Sequence, residues 1–161
     1  EYAISDLGSN YRITDLQCAL GISQMDRLEE WIEKRQTIAD AYDARLKDLP
    51  GIRSLKVHSD RSHARHLYVV RLDGCMENRR AEMFSFLRDR GIGVNVHYIP
   101  VHYHPFYRER FGTEQGLCPV AEKAYEQILT LPVFPGMEDA DVDRVGCAVE
   151  EGIQELGQDI G

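Results

Sequence analysis

Between residues 16 and 46, apolar side chains recur at Leu16, Ala19, Leu20, Leu28, Ile32, Ala39, Tyr42 and Leu46. That spacing marks one face of a helix. It predicts a single long helix, straight or bent, ended by the turn at Pro50-Gly51. Glu29, Glu30, Glu33, Lys34, Arg35 and Asp40 fall mostly on other faces, where solvation and some i,i+4 pairing are expected. Thr14 followed by Gln17 is a capping box that starts this helix. Further on, residues 52–57 read as a short strand and residues 66–72 as a good one. Asn78 is placed to cap a helix carrying Ala81, Met83, Phe84 and Leu87, with Gly91 at its C-terminal end. Val94, Val96 and Tyr98 alternate with Asn95 and His97, which predicts a second good strand.

Pro105 bars a helix through residues 101–107, which read as a ring-rich loop. Pro119 suits the first turn of a helix bearing Ala121, Ala124, Tyr125 and Ile128, followed by a short extended piece at 129–132. The last helix sets Val142, Val145, Val149, Ile153 and Leu156 on one face, with Asp139 and Asp141 near its positive end. Fraying is expected beyond Gly157. The sum is an α+β domain: a long N-terminal helix, then a small sheet with helices packed on it. No internal repeat or second domain is visible, so residues 1–161 are expected to be one domain.

Composition narrows the classes without choosing among them. With 43% hydrophobic and 29% charged residues in 161, the chain has the makings of one core. The net charge of −8 argues against nucleic acid as the main partner, since phosphate backbones need a basic face. A local field can still oppose the net charge, and Arg61, Arg65 and His63 form one basic patch that reads as a solvated loop. No apolar run is long enough to span a bilayer. The four cysteines, Cys18, Cys75, Cys118 and Cys147, show no C-x-x-C pair, and Cys18 and Cys147 fall within helical patterns. A reduced, cytoplasmic chain is the expectation.

The candidate chemistry begins just before the first helix. Asn10 and Arg12 sit at the approach to a helix N-terminus, where an amide and a guanidinium suit an anionic group such as a phosphate. Local chemistry equally allows a plain turn at Asn10 and a solvated Arg12, or an Arg12–Asp15 pair. His97 and Tyr98 end the predicted strand before a loop, a common place for site residues; a solvated His and a packed Tyr are the alternative. His102, Tyr103, His104 and Tyr107 add ring faces and hydrogen-bonding groups. Of these, His102 is taken as the site candidate. His97, His102 and His104 supply imidazoles within eight positions, but no cysteine or carboxylate pattern completes a zinc set, so no metal is expected.

Four segments in order carry a resemblance. The stretch Asn10-Tyr11-Arg12-Ile13-Thr14-Asp15-Leu16-Gln17-Cys18-Ala19-Leu20-Gly21 resembles the N-Y-R-x-[ST]-[DE]-x-Q-x-A-[LI]-G pattern of the DegT and StrS type sugar aminotransferases. His66-Leu67-Tyr68, Gly91 through His102, and Ala121-Glu122 through Leu131-Pro132 follow in the family's order. The branch most similar is that of the pseudaminic acid pathway. The resemblance implies the small C-terminal domain of a fold-type I pyridoxal-phosphate transferase. It further implies amino transfer from L-glutamate to the 4-keto carbon of a UDP-linked 4-keto-6-deoxy sugar, in a homodimer whose sites are shared between subunits. Asn10 would reach the cofactor phosphate of the neighbouring subunit. Arg12, His97, Tyr98 and His102 would lie toward the substrate. In the family the lysine bonded to the cofactor precedes the Asn-Tyr-Arg segment. Lys34, Lys47, Lys56 and Lys123 do not match it, so this chain is expected to carry no catalytic residue, to bind no cofactor by itself and to be a C-terminal piece of a longer enzyme. A stand-alone binding or dimerisation module is the alternative.

Overall fold

The computed structural model describes residues 3–157. Its elements are α1 (Asp15–Met25), α2 (Leu28–Leu46), β1 (Ile52–Ser54), β2 (Tyr68–Leu72), α3 (Arg80–Asp89), α4 (Pro105–Phe111), α5 (Pro119–Gln127), β3 (Ile128–Leu131) and α6 (Asp139–Gly157). The strands form an antiparallel sheet in the order β1-β2-β3, with Ile52 opposite Leu72, Val70 opposite Leu129 and Tyr68 opposite Leu131. Period-two alternation sends Tyr68, Val70 and Leu72 inward and leaves Arg71 in solvent. Against that inner face pack Ile38, Tyr42 and Leu46 of α2, Met83 and Leu87 of α3, and Val142, Val145, Val149 and Ile153 of α6. Gly152 lets α6 close on α3, since a Cβ there would lie 2.7 Å from the Met83 sulfur.

Several elements depart from the sequence pattern for identifiable reasons. The long first helix is two, because the hydrogen-bond ladder lapses at Asp26–Arg27 and restarts when Trp31 N–H reaches the Arg27 carbonyl. Arg35 is not simply a solvated face residue: its Nη1 donates to the carbonyls of Arg65, His66 and Val133, stitching α2 to the loop entering β2 and to the chain leaving β3. Asn78 caps nothing; Arg79 holds the N-cap position of α3 without a side-chain cap. At the other end of α3, Gly91 takes φ +72°, and the amides of Gly91 and Ile92 return to the carbonyls of Arg88 and Leu87 as a Schellman closure.

Residues 94–98 are not a ladder strand. Asn95 and Thr130 exchange both backbone hydrogen bonds in one isolated bridge. On either side the donors are consumed locally, Val94 N–H by the Ile92 carbonyl and Val96 N–H by the Asn95 side chain. The third strand is instead β3, whose sequence read only as a short extended piece. Pro105 does not keep its neighbourhood irregular either. It opens α4 at a position where no N–H is needed, after a 3₁₀ turn over Val101–Tyr103. The expected fraying beyond Gly157 lies outside the described residues.

The N-terminal arm differs from everything else. Residues 3–30 are exposed throughout, and α1 buries no residue. Tyr11 is 91% exposed, Leu16 81%, Ile22 71% and Leu20 63%. Changing Leu16→Ser and Leu20→Ser together is expected to change the unfolding free energy of this chain, measured by urea denaturation, by no more than about 0.5 kcal/mol, because no buried contact is lost. A clear drop would show that the arm folds back on the domain.

Candidate functional site

The arm is fixed at its root. Ile4 N–H donates to His104 Nδ1 at 3.2 Å, and Phe106 N–H donates to the Ile4 carbonyl at 3.0 Å. Six residues later the Asn10 Oδ1 accepts the Arg12 N–H at 3.0 Å, an Asx turn that sets Arg12 at φ +65°. The capping box forms as its residues predict, with Gln17 N–H on Thr14 Oγ1 and Thr14 N–H on Gln17 Oε1. Because Oδ1 is engaged, the free end of the Asn10 amide is its donor, Nδ2, and it faces solvent beside a helix start. No ion pair joins Arg12 to Asp15 among the described residues, so the guanidinium also stands open. Turn and anion donor are thus compatible roles for Asn10.

At the sheet edge, His97 is oriented from two sides. Its Nδ1 lies 2.9 Å from Thr130 Oγ1 and its Nε2 3.3 Å from Asn95 Nδ2. Asn95 Oδ1 is committed to the Val96 N–H, so the amide nitrogen faces the imidazole and donates to Nε2. Nδ1 then carries the proton and donates to Thr130. Burial, and then the nearby His66, hold the His97 pKa below its ordinary value and favour this neutral tautomer. Tyr98 does not pack inward as an alternating strand residue would; it is 60% exposed, its ring edge-on to His97 at 4.6 Å. The peptide between them is cis.

His102 lies inside the domain, 8% exposed, with Nε2 2.7 Å from Glu122 Oε1. Glu122 also accepts the amides of Gly116 at 2.8 Å and Cys118 at 3.1 Å, while Thr113 Oγ1 donates to the His102 carbonyl. One buried carboxylate therefore organises residues 113–118 and the turn after Pro100. Burial raises the Glu122 pKa, but the Gly116 and Cys118 amides and His102 outweigh it, and the net shift is downward. A carboxylate so depressed stabilises the fold fully above its ordinary value and loses that contribution as the pH falls through the native one. Glu122→Gln should be the less stable protein at neutral pH and converge on the unsubstituted one in acid, measured as paired urea midpoints across pH. A difference that stays constant into acid would remove the charge from this role.

None of the described hydrogen bonds joins Asn10 or Arg12 to His97 or His102. The structure presents two separate groups: anion donors on an exposed arm, and an oriented imidazole with an exposed phenol at the sheet edge. A sequence model of the DegT/DnrJ/EryC1/StrS aminotransferase family matches residues 1–150. The chain belongs to this family. It is 40% identical over 152 residues to the spore coat polysaccharide biosynthesis protein SpsC of Bacillus subtilis, covering 93% of this chain and 39% of that protein. It is 35% identical over 140 residues to the UDP-4-amino-4,6-dideoxy-N-acetyl-β-L-altrosamine transaminase of Campylobacter jejuni, covering 87% of this chain and 37% of that one. Spr1654 of Streptococcus pneumoniae, solved in its PLP form, superposes with a TM-score of 0.82 at 28% identity, covering 89% of this chain and 36% of the other. The chain thus spans about two fifths of the length of the curated relatives it matches.

Members of the DegT/DnrJ/EryC1/StrS family are pyridoxal-phosphate aminotransferases. The donor set here fits the phosphate end of that cofactor: an exposed primary amide and a guanidinium ahead of a capped helix. It does not supply an amine for the carbonyl end. Lys34, Lys47 and Lys123 have side chains half or more exposed, and Lys56 lies in the exposed loop between β1 and β2. Among the described residues no group of three His, Cys, Asp or Glu is gathered as a metal site requires, and no helix is long and apolar enough to cross a membrane. All four cysteines are free and exposed, so Cys18 and Cys147 are not small core residues of their helices. Sequence reasoning missed Thr130, Asn95 and Glu122 as orienting residues. Thr130 carried one signal, a lone hydroxyl in the apolar run 128–131. Glu122 lay within a family-like segment, but nothing in its pattern marks a buried carboxylate.

Proposed function

We propose that this chain is the C-terminal part of a pyridoxal-phosphate aminotransferase that moves an amino group from L-glutamate to the 4-keto carbon of a UDP-linked 4-keto-6-deoxy sugar. The observation that carries this reading is the arm: a family motif whose polar donors face outward and whose helix buries nothing against its own domain. When bound, pyridoxal phosphate supplies the electron sink for the transfer. Asn10 Nδ2 donates to its phosphate from across a homodimer interface, while the Asx turn holds the amide in that orientation. Arg12 meets either the substrate carboxylate or the sugar diphosphate.

His97, held neutral with Nδ1 donating to Thr130, and the exposed Tyr98 phenol orient the sugar. His102, buried against Glu122, serves the substrate side by fixing the turn that follows Pro100 rather than by reaching solvent. The lysine that holds the cofactor belongs to a large domain preceding this one. The similarity to the altrosamine transaminase supports the choice of a UDP-sugar and of the pseudaminic acid branch. The exposed apolar arm also favours a second reading, a dimerisation module without catalysis. The test is to supply the full-length protein with pyridoxal phosphate, L-glutamate and the 4-keto sugar nucleotide, and to follow the aminated product by mass spectrometry. Product that requires both glutamate and cofactor is expected. A stable dimer with no product and no glutamate-induced change in cofactor absorbance would leave the module.

A further inference from the structure

Between β1 and β2 the chain walls a cleft of about 430 Å³. Its lining is largely apolar and includes Leu55, Val57, Leu67 and Val69. No acidic residue lines it, on a chain that carries 27 aspartates and glutamates and a net charge of −8. The same cleft is lined by Lys56, Arg61, Arg65 and three of the chain's six histidines, His58, His63 and His66.

The base of the cleft is firmly held. Arg65 takes φ +51°, and its mostly buried guanidinium spans Asp43 at 3.6 Å and Gln36 at 3.3 Å. The Tyr68 hydroxyl donates to the same Asp43 at 2.6 Å. The basic patch expected here as a solvated loop is therefore half structural. Arg61 is neutralised by Asp60 through two contacts of 2.8 Å. The groups left for a ligand are Lys56, which has no ion pair among the described residues, and the imidazoles. His63 is set as a donor, because its Nδ1 accepts the Arg65 N–H at 2.8 Å and the neutral ring must then carry its proton on Nε2. His66 joins the cleft to the sheet edge, since it acts electrostatically on His97.

Apolar side chains together with cationic, donor-bearing ones, in a volume of this size, suit a flat ring system carrying an oxyanion. We infer that this cleft binds the nucleoside diphosphate portion of the sugar substrate, with the diphosphate at Lys56, His58 and His63 and the nucleoside over Leu55, Val57 and Leu67. This rests on the aminotransferase reading above and assigns its substrate handle to the β1–β2 loop.

Calorimetric titration of the full-length protein with UDP, uridine and inorganic pyrophosphate tests it. Lys56→Ala combined with His63→Ala should weaken UDP roughly tenfold or more, with Lys56→Arg retaining most of the affinity and uridine binding weakly to both. Circular dichroism matching the unsubstituted protein shows that the double variant has folded, and the salt dependence of UDP binding gives a second readout if it has not. A steep salt dependence supports the cationic contacts. UDP affinity indifferent to the substitutions, or to salt, overturns the assignment. If pyrophosphate binds as tightly as UDP and responds alike, the cleft is a phosphate site only, and the nucleoside assignment fails. The underlying reading is checked separately, by the change in cofactor absorbance on adding L-glutamate to the unsubstituted protein.

Discussion

Asn10→Ala in the full-length protein is expected to weaken retention of pyridoxal phosphate roughly 10- to 150-fold, the range for one hydrogen bond to a charged partner. Equilibrium dialysis against free cofactor, on protein whose dimeric state has been checked, measures it. Two effects combine in this variant: loss of the Nδ2 donor, and loss of the Oδ1 acceptor that fixes the Arg12 amide at 3.0 Å. Asn10→Asp separates them. The aspartate keeps an acceptor for the turn but turns a carboxylate toward the phosphate, so its affinity should fall further than that of the alanine variant. If aspartate is tolerated and alanine is not, the side chain matters only for the turn. If neither changes cofactor affinity, the phosphate role is gone.

Leu87→Ala is expected to cost about 2–5 kcal/mol of stability, the range for a large buried aliphatic residue truncated in a tightly packed core. Leu87 is fully buried, on α3 between the sheet and α6, and it also supplies the carbonyl that closes the Schellman turn onto Ile92. The surroundings have little freedom to collapse, because Met83 and Phe86 on the same helix are already pressed against Gly152. Urea denaturation should show a lower midpoint with an unchanged slope. A loss below about 1 kcal/mol would mean that α3 shifts to fill the space. The arm should be unaffected, since none of its residues from 5 to 28 joins this core.

These cases show what the residue pattern can convey. Helix faces were legible wherever burial alone decides them: Val142, Val145, Val149 and Ile153 recur on one face and all are buried. The capping box and the Pro119 start were legible because both are local chemistry. The strand at 94–98 was misleading because alternation records which side chains face inward, not whether backbone donors find a partner strand. There the donors go to Ile92 and to the Asn95 side chain. The helix break at Asp26–Arg27 is silent in sequence for a related reason, since no core lies under α1 to show that its apolar stripe belongs elsewhere. At the candidate site, Asn10 and Arg12 were visible as a motif, yet the division of the Asn10 amide into a turn acceptor and a free donor requires coordinates. Glu122 was hidden by the rule that carboxylates on a helix face water; the amides of Gly116 and Cys118 together with the His102 imidazole explain its burial.

The tether at Ile4 gives the arm a particular thermodynamic character. A segment held at one end by His104 and Phe106, and at the other by the buried stretch of α2 beginning at Ile38, has already lost much of the conformational freedom of a loose tail. Its turn at Asn10 and its capped helix remove more. Association through such a segment costs less ordering entropy than folding a disordered strand onto a partner. In the homodimer proposed above, the affinity of assembly would then be governed by the fit of the exposed Tyr11, Leu16 and Leu20 to the opposing surface, with little of it consumed in giving the arm a shape.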